Sequence, residues 1–138
     1  MNVFKFGGAS VKDAQGVRNV ATVLQQTGHT NLVIVVSAMG KMTNAFEGVV
    51  SCYFNDPTKV NQALENIKAY HWSVSQEIFT DFKAPVFRQI QELITAVSSF
   101  LQTNKSTNKA YVYDQVVGYG ELLSTTIVSA YLTQMAIK

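Results

Sequence analysis

Three short stretches of the chain combine residue types suited to handling phosphate and a small polar substrate. Lys5-Phe6-Gly7-Gly8-Ala9-Ser10 sets a lysine, two glycines and a serine side by side. Glycines let backbone N–H groups approach an anion closely, and an ammonium group is a compact positive charge. Phosphoryl transfer needs mainly positioning and charge neutralisation, which such groups supply. The spacing is neither the Walker pattern nor the dinucleotide fingerprint, and a glycine pair also serves as a plain tight turn. Ser37-Ala38-Met39-Gly40-Lys41-Met42-Thr43-Asn44 offers small residues for close approach and the Ser37 and Thr43 hydroxyls for a polar substrate. Thr43 equally suits a helix cap, and Lys41 reads as a solvated loop charge. In Gly118-Tyr119-Gly120-Glu121 the glycines clear room for a ligand whose amino group Glu121 pairs. A carboxylate opening a helix is also favoured by the helix dipole alone.

The elements around these stretches read as a βαβ start followed by helices. Residues 2–6 are aromatic and β-branched and stop at Gly7-Gly8, as a strand does before a flexible turn. Over residues 12–26, Val17, Val20, Ala21 and Leu24 recur at helical spacing, and Gly28 closes the segment. Leu32 to Val36 reads LVIVV, the pattern of a parallel strand buried on both faces. The crossover between the two strands is expected to be right-handed. Ligands of such sheets sit beyond the carboxyl ends of the strands, where the first two stretches lie.

Thr43 is then expected to cap a helix over 43–53, and Asp56 to cap another with Pro57 at its first position. Val60, Leu64, Ile67, His71, Val74 and Ile78 form one apolar stripe; Val86, Ile90, Leu93, Ile94, Val97 and Leu101 form the next. Two such helices with a short connection pack as an antiparallel hairpin. Residues 105–109 read as a polar turn, and 110–117 as a short extended segment. A last helix carries Leu122, Leu123, Ile127, Val128, Tyr131 and Leu132. Two strands are few for a closed parallel sheet, so the chain is expected to be part of a longer protein.

Composition narrows the classes. At 138 residues and 47% apolar the chain can bury a core. A net charge of +2, with lysines and arginines scattered, points away from nucleic acid and anionic membranes. The aromatic residues are spread over helices, an arrangement unsuited to stacking bases. No run approaches the roughly 18 apolar residues of a membrane span, and residues 1–4 do not open a signal peptide. Cys52 reads as a buried free thiol in a reducing cytosol. His71 reads as a core histidine and His29 as a loop residue at a helix end. Two histidines, one cysteine and dispersed carboxylates suggest no structural metal site.

Taken together and in order, KFGGAS, VVSAMGKMTN and GYGELLST resemble the N-terminal signatures of the aspartate kinases, members of the amino-acid-kinase superfamily. The resemblance covers essentially the whole chain. It implies an α/β fold, a three-layer αβα sandwich of the amino-acid-kinase (carbamate-kinase-like) type. This would be incomplete, with a mostly parallel sheet and a long helical hairpin. Residues 1–138 would be the N-terminal portion of the catalytic domain, without the adenine-binding half or the ACT domains. The activity implied is ATP-dependent phosphorylation of the side-chain carboxylate of L-aspartate to 4-phospho-L-aspartate, the first step toward lysine, threonine and methionine. ATP with Mg2+ would be the phosphate source, in a cytoplasmic homo-oligomer, and the fragment alone would be inactive. By the same resemblance Lys5 would contact the transferring phosphate, while Gly7, Gly8, Ser10 and Ser37 hold the ATP phosphates. Thr43 and Glu121 would bind aspartate. Ala9 departs from the threonine usual there. The rival readings are another amino-acid kinase, such as glutamate 5-kinase, and a non-catalytic helical binding or assembly module.

Overall fold

The computed structural model describes residues 2–28 and 30–135. The expectation for His29 lies outside them. The element order is β1 (Asn2–Phe6), α1 (Ala14–Thr27), β2 (Leu32–Val36), α2 (Met42–Asn55), a single 3-10 turn (Pro57–Lys59), α3 (Val60–Ile78), α4 (Pro85–Thr103), α5 (Lys109–Val117) and α6 (Tyr119–Gln134). β1 and β2 form a parallel pair with Asn2 opposite Leu32 and Phe6 opposite Val36. Helix α1 starts where Asp13 accepts a hydrogen bond from the Gly16 amide at 2.8 Å, and ends at Gly28, whose φ of 86° suits glycine. Its buried face holds Val17, Val20, Ala21 and Leu24, the stripe expected from spacing, with Ala14 and Gly16 beside them.

β2 departs from expectation. Side chains alternate across a strand, so the register places Phe4, Phe6, Leu32 and Ile34 toward the helices and Val3, Lys5, Val33 and Val35 on the other face. Val3, Val33 and Val35 are 64%, 42% and 43% exposed, so LVIVV is covered on one face only. The apolar run demands two covered faces, but the described helices supply a single layer. Val33→Thr and Val35→Thr are therefore expected to change the stability of this chain by less than about 0.5 kcal/mol each. Val36→Thr buries a hydroxyl and is expected to cost about 1–3 kcal/mol; urea titration of the three variants compares them.

The helices follow their stripes with three corrections. Thr43 does not cap α2: Lys41 occupies that position without a side-chain cap bond, and Thr43 lies exposed in the first turn. Pro57 opens the 3-10 turn rather than α3, because Asp56 turns its carboxylate to the Thr58 hydroxyl (2.6 Å) instead of capping a helix. Residues 110–117 are helical, not extended. Their valines and tyrosines have strand preferences, yet Val112 and Val116 sit four apart in the core, and Asn108 caps the helix through the Tyr111 amide at 3.2 Å. The hairpin forms as expected: Trp72 near the end of α3 lies 4.8 Å from Phe87 at the start of α4, and Asn61 and Leu64 share a groove with Ser98 and Gln102 at the opposite end.

His71 is fully buried among these helices. Its Nδ1 meets the Ile67 carbonyl at 2.8 Å, and a carbonyl only accepts, so the ring proton sits on Nδ1. Nε2 has no partner among the described residues, so a second proton would be buried without an acceptor. Burial accordingly holds the His71 pKa below its usual 6.5. Above about pH 6.5 both folded and unfolded forms are neutral. As the pH falls below that value the unfolded chain takes up the proton first, and stability drops by up to about 1.4 kcal/mol per pH unit. Melting curves at neutral and mildly acid pH are expected to show this loss in the native chain and its absence in His71→Gln.

Candidate active site

The three chemistry-bearing stretches meet, and glycines are the reason. Loop A (residues 7–13) leaves β1, and loop B (residues 37–41) leaves β2 beside it. The Ser37 amide donates to the Phe6 carbonyl at 2.9 Å, and the Gly40 amide to the Gly8 carbonyl at 3.1 Å, so the loops continue the pairing past the sheet. A Cβ on Gly8 would stand 2.9 Å from the Ala38 carbonyl oxygen and 3.1 Å from that of Gly40. Gly120, the second residue of α6, is held as closely: its Cβ would lie 2.9 Å from the Ala38 Cβ and 3.5 Å from the Phe46 ring of α2. Ala38 is thus pressed by loop A and by α6 together. Gly7 differs from these, for a Cβ there would meet nothing within 4 Å. Nothing in the described chain requires glycine at that position.

Loop A is wound tightly. The Ser10 and Val11 amides both donate to the Gly7 carbonyl, at 3.0 and 3.2 Å, and Val11 is fully buried as its anchor. The Ser10 amide is therefore spent internally, whereas those of Gly8 and Ala9 reach no backbone acceptor among the described residues. The Ser10 side chain remains exposed. At the N-terminus of α1 the Asp13 carboxylate already takes the Gly16 amide. The helices that begin at the junction without a side-chain cap are α2 and α6, whose first-turn amides favour an anion or a carboxylate.

Each residue singled out in the sequence has a definite place. Lys5 is exposed on the uncovered sheet face, two residues before Gly7. Ser37 is half-buried at the start of loop B. Thr43 and Glu121 are exposed in the first turns of α2 and α6, which approach through Phe46 and Gly120. No hydrogen bond or ion pair among the described residues joins Lys5, Thr43 and Glu121 to one another or to any other side chain. Among the described residues the ion pairs are Lys59–Asp56 at 3.6 Å and Arg88–Glu92 at 3.4 Å, both elsewhere. A cavity of about 290 Å³ lies beside loop A, between Phe6 and α1, with Ala9, Ser10, Lys12 and Asp13 in its wall. Thr43 and Glu121 do not line it. Among the described residues no group of three His, Cys, Asp or Glu side chains is placed to hold a metal.

Tyr70 escaped the sequence reading. From α3 it reaches the junction and donates its hydroxyl to the Lys12 carbonyl. A Cβ on Gly40, which has φ of 48°, would lie 3.1 Å from the Tyr70 oxygen and 3.5 Å from the Lys12 Cβ. Burial, and secondarily the charge of Asp13, raise the Tyr70 pKa above its usual value, so the hydroxyl keeps its proton. Tyr70 lies between the stripe positions Ile67 and His71, and nothing in the local pattern distinguishes it.

A parallel strand pair with a glycine loop after each strand, joined by a third glycine near a helix start, places the chain in the α/β class. Residues 1–138 match the model of the Amino acid kinase family, and the chain belongs to that family. Over 99% of its length it is 33% identical to Aspartokinase 1, chloroplastic, of Arabidopsis thaliana, and over 96% it is 28% identical to Bifunctional aspartokinase/homoserine dehydrogenase 2 of Escherichia coli. It spans 24% of the first protein and 16% of the second, about a quarter or less of these curated relatives. The fold matches E. coli aspartokinase III in complex with aspartate and ADP (R-state), with a TM-score of 0.82 over 99% of this chain and 29% of that one. It matches the same protein in complex with lysine and aspartate (T-state) with a TM-score of 0.84 over 100% and 30%. At 20% identity these two likenesses establish the fold alone.

Proposed function

We propose that the complete protein transfers the γ-phosphate of ATP to the β-carboxylate of L-aspartate, and that residues 1–138 are the N-terminal part of its catalytic domain. The observation that carries this reading is the close packing of both Gly8 and Gly120 against Ala38, which gathers the three aspartate-kinase-like stretches at one junction. That the relatives named above are aspartokinases supports the choice of aspartate rather than glutamate as acceptor here.

Loop A takes the phosphates through the Gly8 and Ala9 amides, with the Ser10 and Ser37 hydroxyls beside them. The open space at Gly7 is where a phosphate approaches the backbone. Lys5 offsets charge on the transferring group. Thr43 holds the substrate, and Glu121 pairs its α-amino group. A carboxylate is already a competent nucleophile, so no general base is needed and catalysis rests on alignment. Mg2+, arriving with the nucleotide, neutralises phosphate charge. A cytoplasmic location accompanies this reading, although the Arabidopsis relative is chloroplastic by name. None of the described helices is long and apolar enough to cross a membrane.

The test uses protein expressed from the complete reading frame. ADP release should require L-aspartate, and hydroxylamine should trap the acyl phosphate as aspartyl hydroxamate. Equal turnover with L-glutamate, or ADP release with no hydroxamate, would refute the assignment. Residues 1–138 by themselves are expected to show no turnover.

A further inference from the structure

We propose that Tyr70 is a positioning residue for phosphoryl transfer, holding the end of loop A against Gly40 of loop B; this rests on the function proposed above. The two loops have different tasks in that function. Loop A holds the phosphates, and loop B leads into α2, which carries Thr43. Their relative placement therefore sets the distance between phosphorus and acceptor oxygen. The backbone link between them is at one end of the junction, from the Gly40 amide to the Gly8 carbonyl. At the other end Lys12 passes Gly40 without a hydrogen bond between them among the described residues, and there the Tyr70 hydroxyl binds the Lys12 carbonyl while standing against Gly40. Donor and acceptor are 58 residues apart in the chain, so α3 reaches across to make this contact. Next along the loop, Asp13 is committed to the α1 cap. Tyr70 and Asp13 thus fix consecutive residues of loop A, one to α3 and one to α1. The Tyr70 ring is half-buried and its proton is retained, so the link persists through the neutral range.

Such a residue should govern alignment rather than affinity. Misplacing reacting groups by about 1 Å costs on the order of 100-fold in rate. In the complete protein Tyr70→Phe keeps the ring and removes only the hydroxyl. It is expected to lower kcat by about 10- to 100-fold, with KM for ATP and for aspartate each within about threefold of the native values. Gly40→Ala pushes a methyl group toward the Tyr70 oxygen and should lower kcat in the same manner. If both act through the Lys12–Gly40 contact, the double variant loses no more than the worse single one. An unchanged kcat in Tyr70→Phe, or rate losses that multiply in the double variant, would overturn the proposal. A lower melting temperature with native kcat well below it would show a structural role only, and would overturn it equally. Amide exchange separates this idea from the proposed activity. In Tyr70→Phe the amides of residues 8–13 and 40–42 should exchange at least about tenfold faster while those of α4 do not change. That result with no aspartate-dependent turnover in the native protein would retain the loop contact and discard the aspartate kinase reading. Unchanged exchange would remove the contact itself.

Discussion

Lys5→Met in the complete protein is expected to reduce kcat by about 10²- to 10³-fold and to shift the melting temperature little. The two halves of this expectation have separate causes. Lys5 is exposed on the uncovered face of β1, opposite Val35, and no ion pair or hydrogen bond of its side chain is found among the described residues. Removing it therefore leaves no partner unsatisfied, and surface substitutions of that kind stay within about 0.5 kcal/mol. Its charge is instead available to the phosphoryl group, on which negative charge is redistributed during transfer. Lys5→Arg preserves the charge but replaces a compact ammonium by a wide planar fork, and is expected to recover only part of the rate. Steady-state kinetics with both variants, beside their melting curves, decide the matter. A kcat within threefold of native in Lys5→Met would remove Lys5 from the chemistry.

Glu121→Ala is expected to raise KM for L-aspartate while leaving KM for ATP near native. A hydrogen bond between charged groups is worth about 1.5–3 kcal/mol, which corresponds to a roughly 10- to 150-fold change. Glu121 opens α6, where the dipole favours a carboxylate, so the variant should also lose about 0.3–1 kcal/mol of stability. That small loss is the full effect if Glu121 is only a helix-start residue. A dicarboxylate without an amino group, such as succinate, supplies the contrast. It should bind native and variant protein equally weakly, because it lacks the group that Glu121 pairs. Gly120→Ala tests the support beneath Glu121. Its methyl group would meet the Ala38 Cβ and the Phe46 ring, displacing the start of α6 with Glu121 chemically intact. An unchanged aspartate KM in Glu121→Ala would return that residue to its structural role.

The elements were largely legible from side-chain period in the helices and from residue content in the strands. β1, α1, β2 and the α3–α4 hairpin lie where they were expected, the strands from β-branched and apolar content bounded by turn residues and the helices from apolar stripes at helical spacing. The errors share a cause: at those positions local preference competed with tertiary context. Residues 110–117 are rich in valine and tyrosine, but burial of Val112 and Val116 against neighbouring helices makes them helical. Val33 and Val35 belong to an apolar run, yet no described helix covers them. Thr43 is an acceptable cap, and the structure places Lys41 there instead. That correction leaves the Thr43 hydroxyl without a structural task, as a substrate contact requires.

The candidate site was legible as motifs and not as geometry. Glycine pairs and a carboxylate at a helix start can be read locally, but nothing in the spacing says that Gly8 and Gly120 press on the same alanine. Nor does it show that the Ser10 amide is turned inward on Gly7. Tyr70 was invisible for a related reason. Its hydroxyl acts on a carbonyl 58 residues away, and a tyrosine beside a helical stripe looks like any other amphipathic position.

A sheet of two strands has only edges. Among the described residues β1 and β2 each pair on one side, so along the other side each presents unclaimed backbone donors and acceptors, with Val3, Val33 and Val35 beside them. Such a rim is a template for adding strands. Handled at high concentration without a covering partner, the chain is expected to grow by edge-to-edge recruitment of its own kind, and Lys5, the one charge on those strands, does little to blunt it. The strand pair that carries the glycine loops to their junction is therefore also a part that limits how concentrated the isolated chain can be kept in solution.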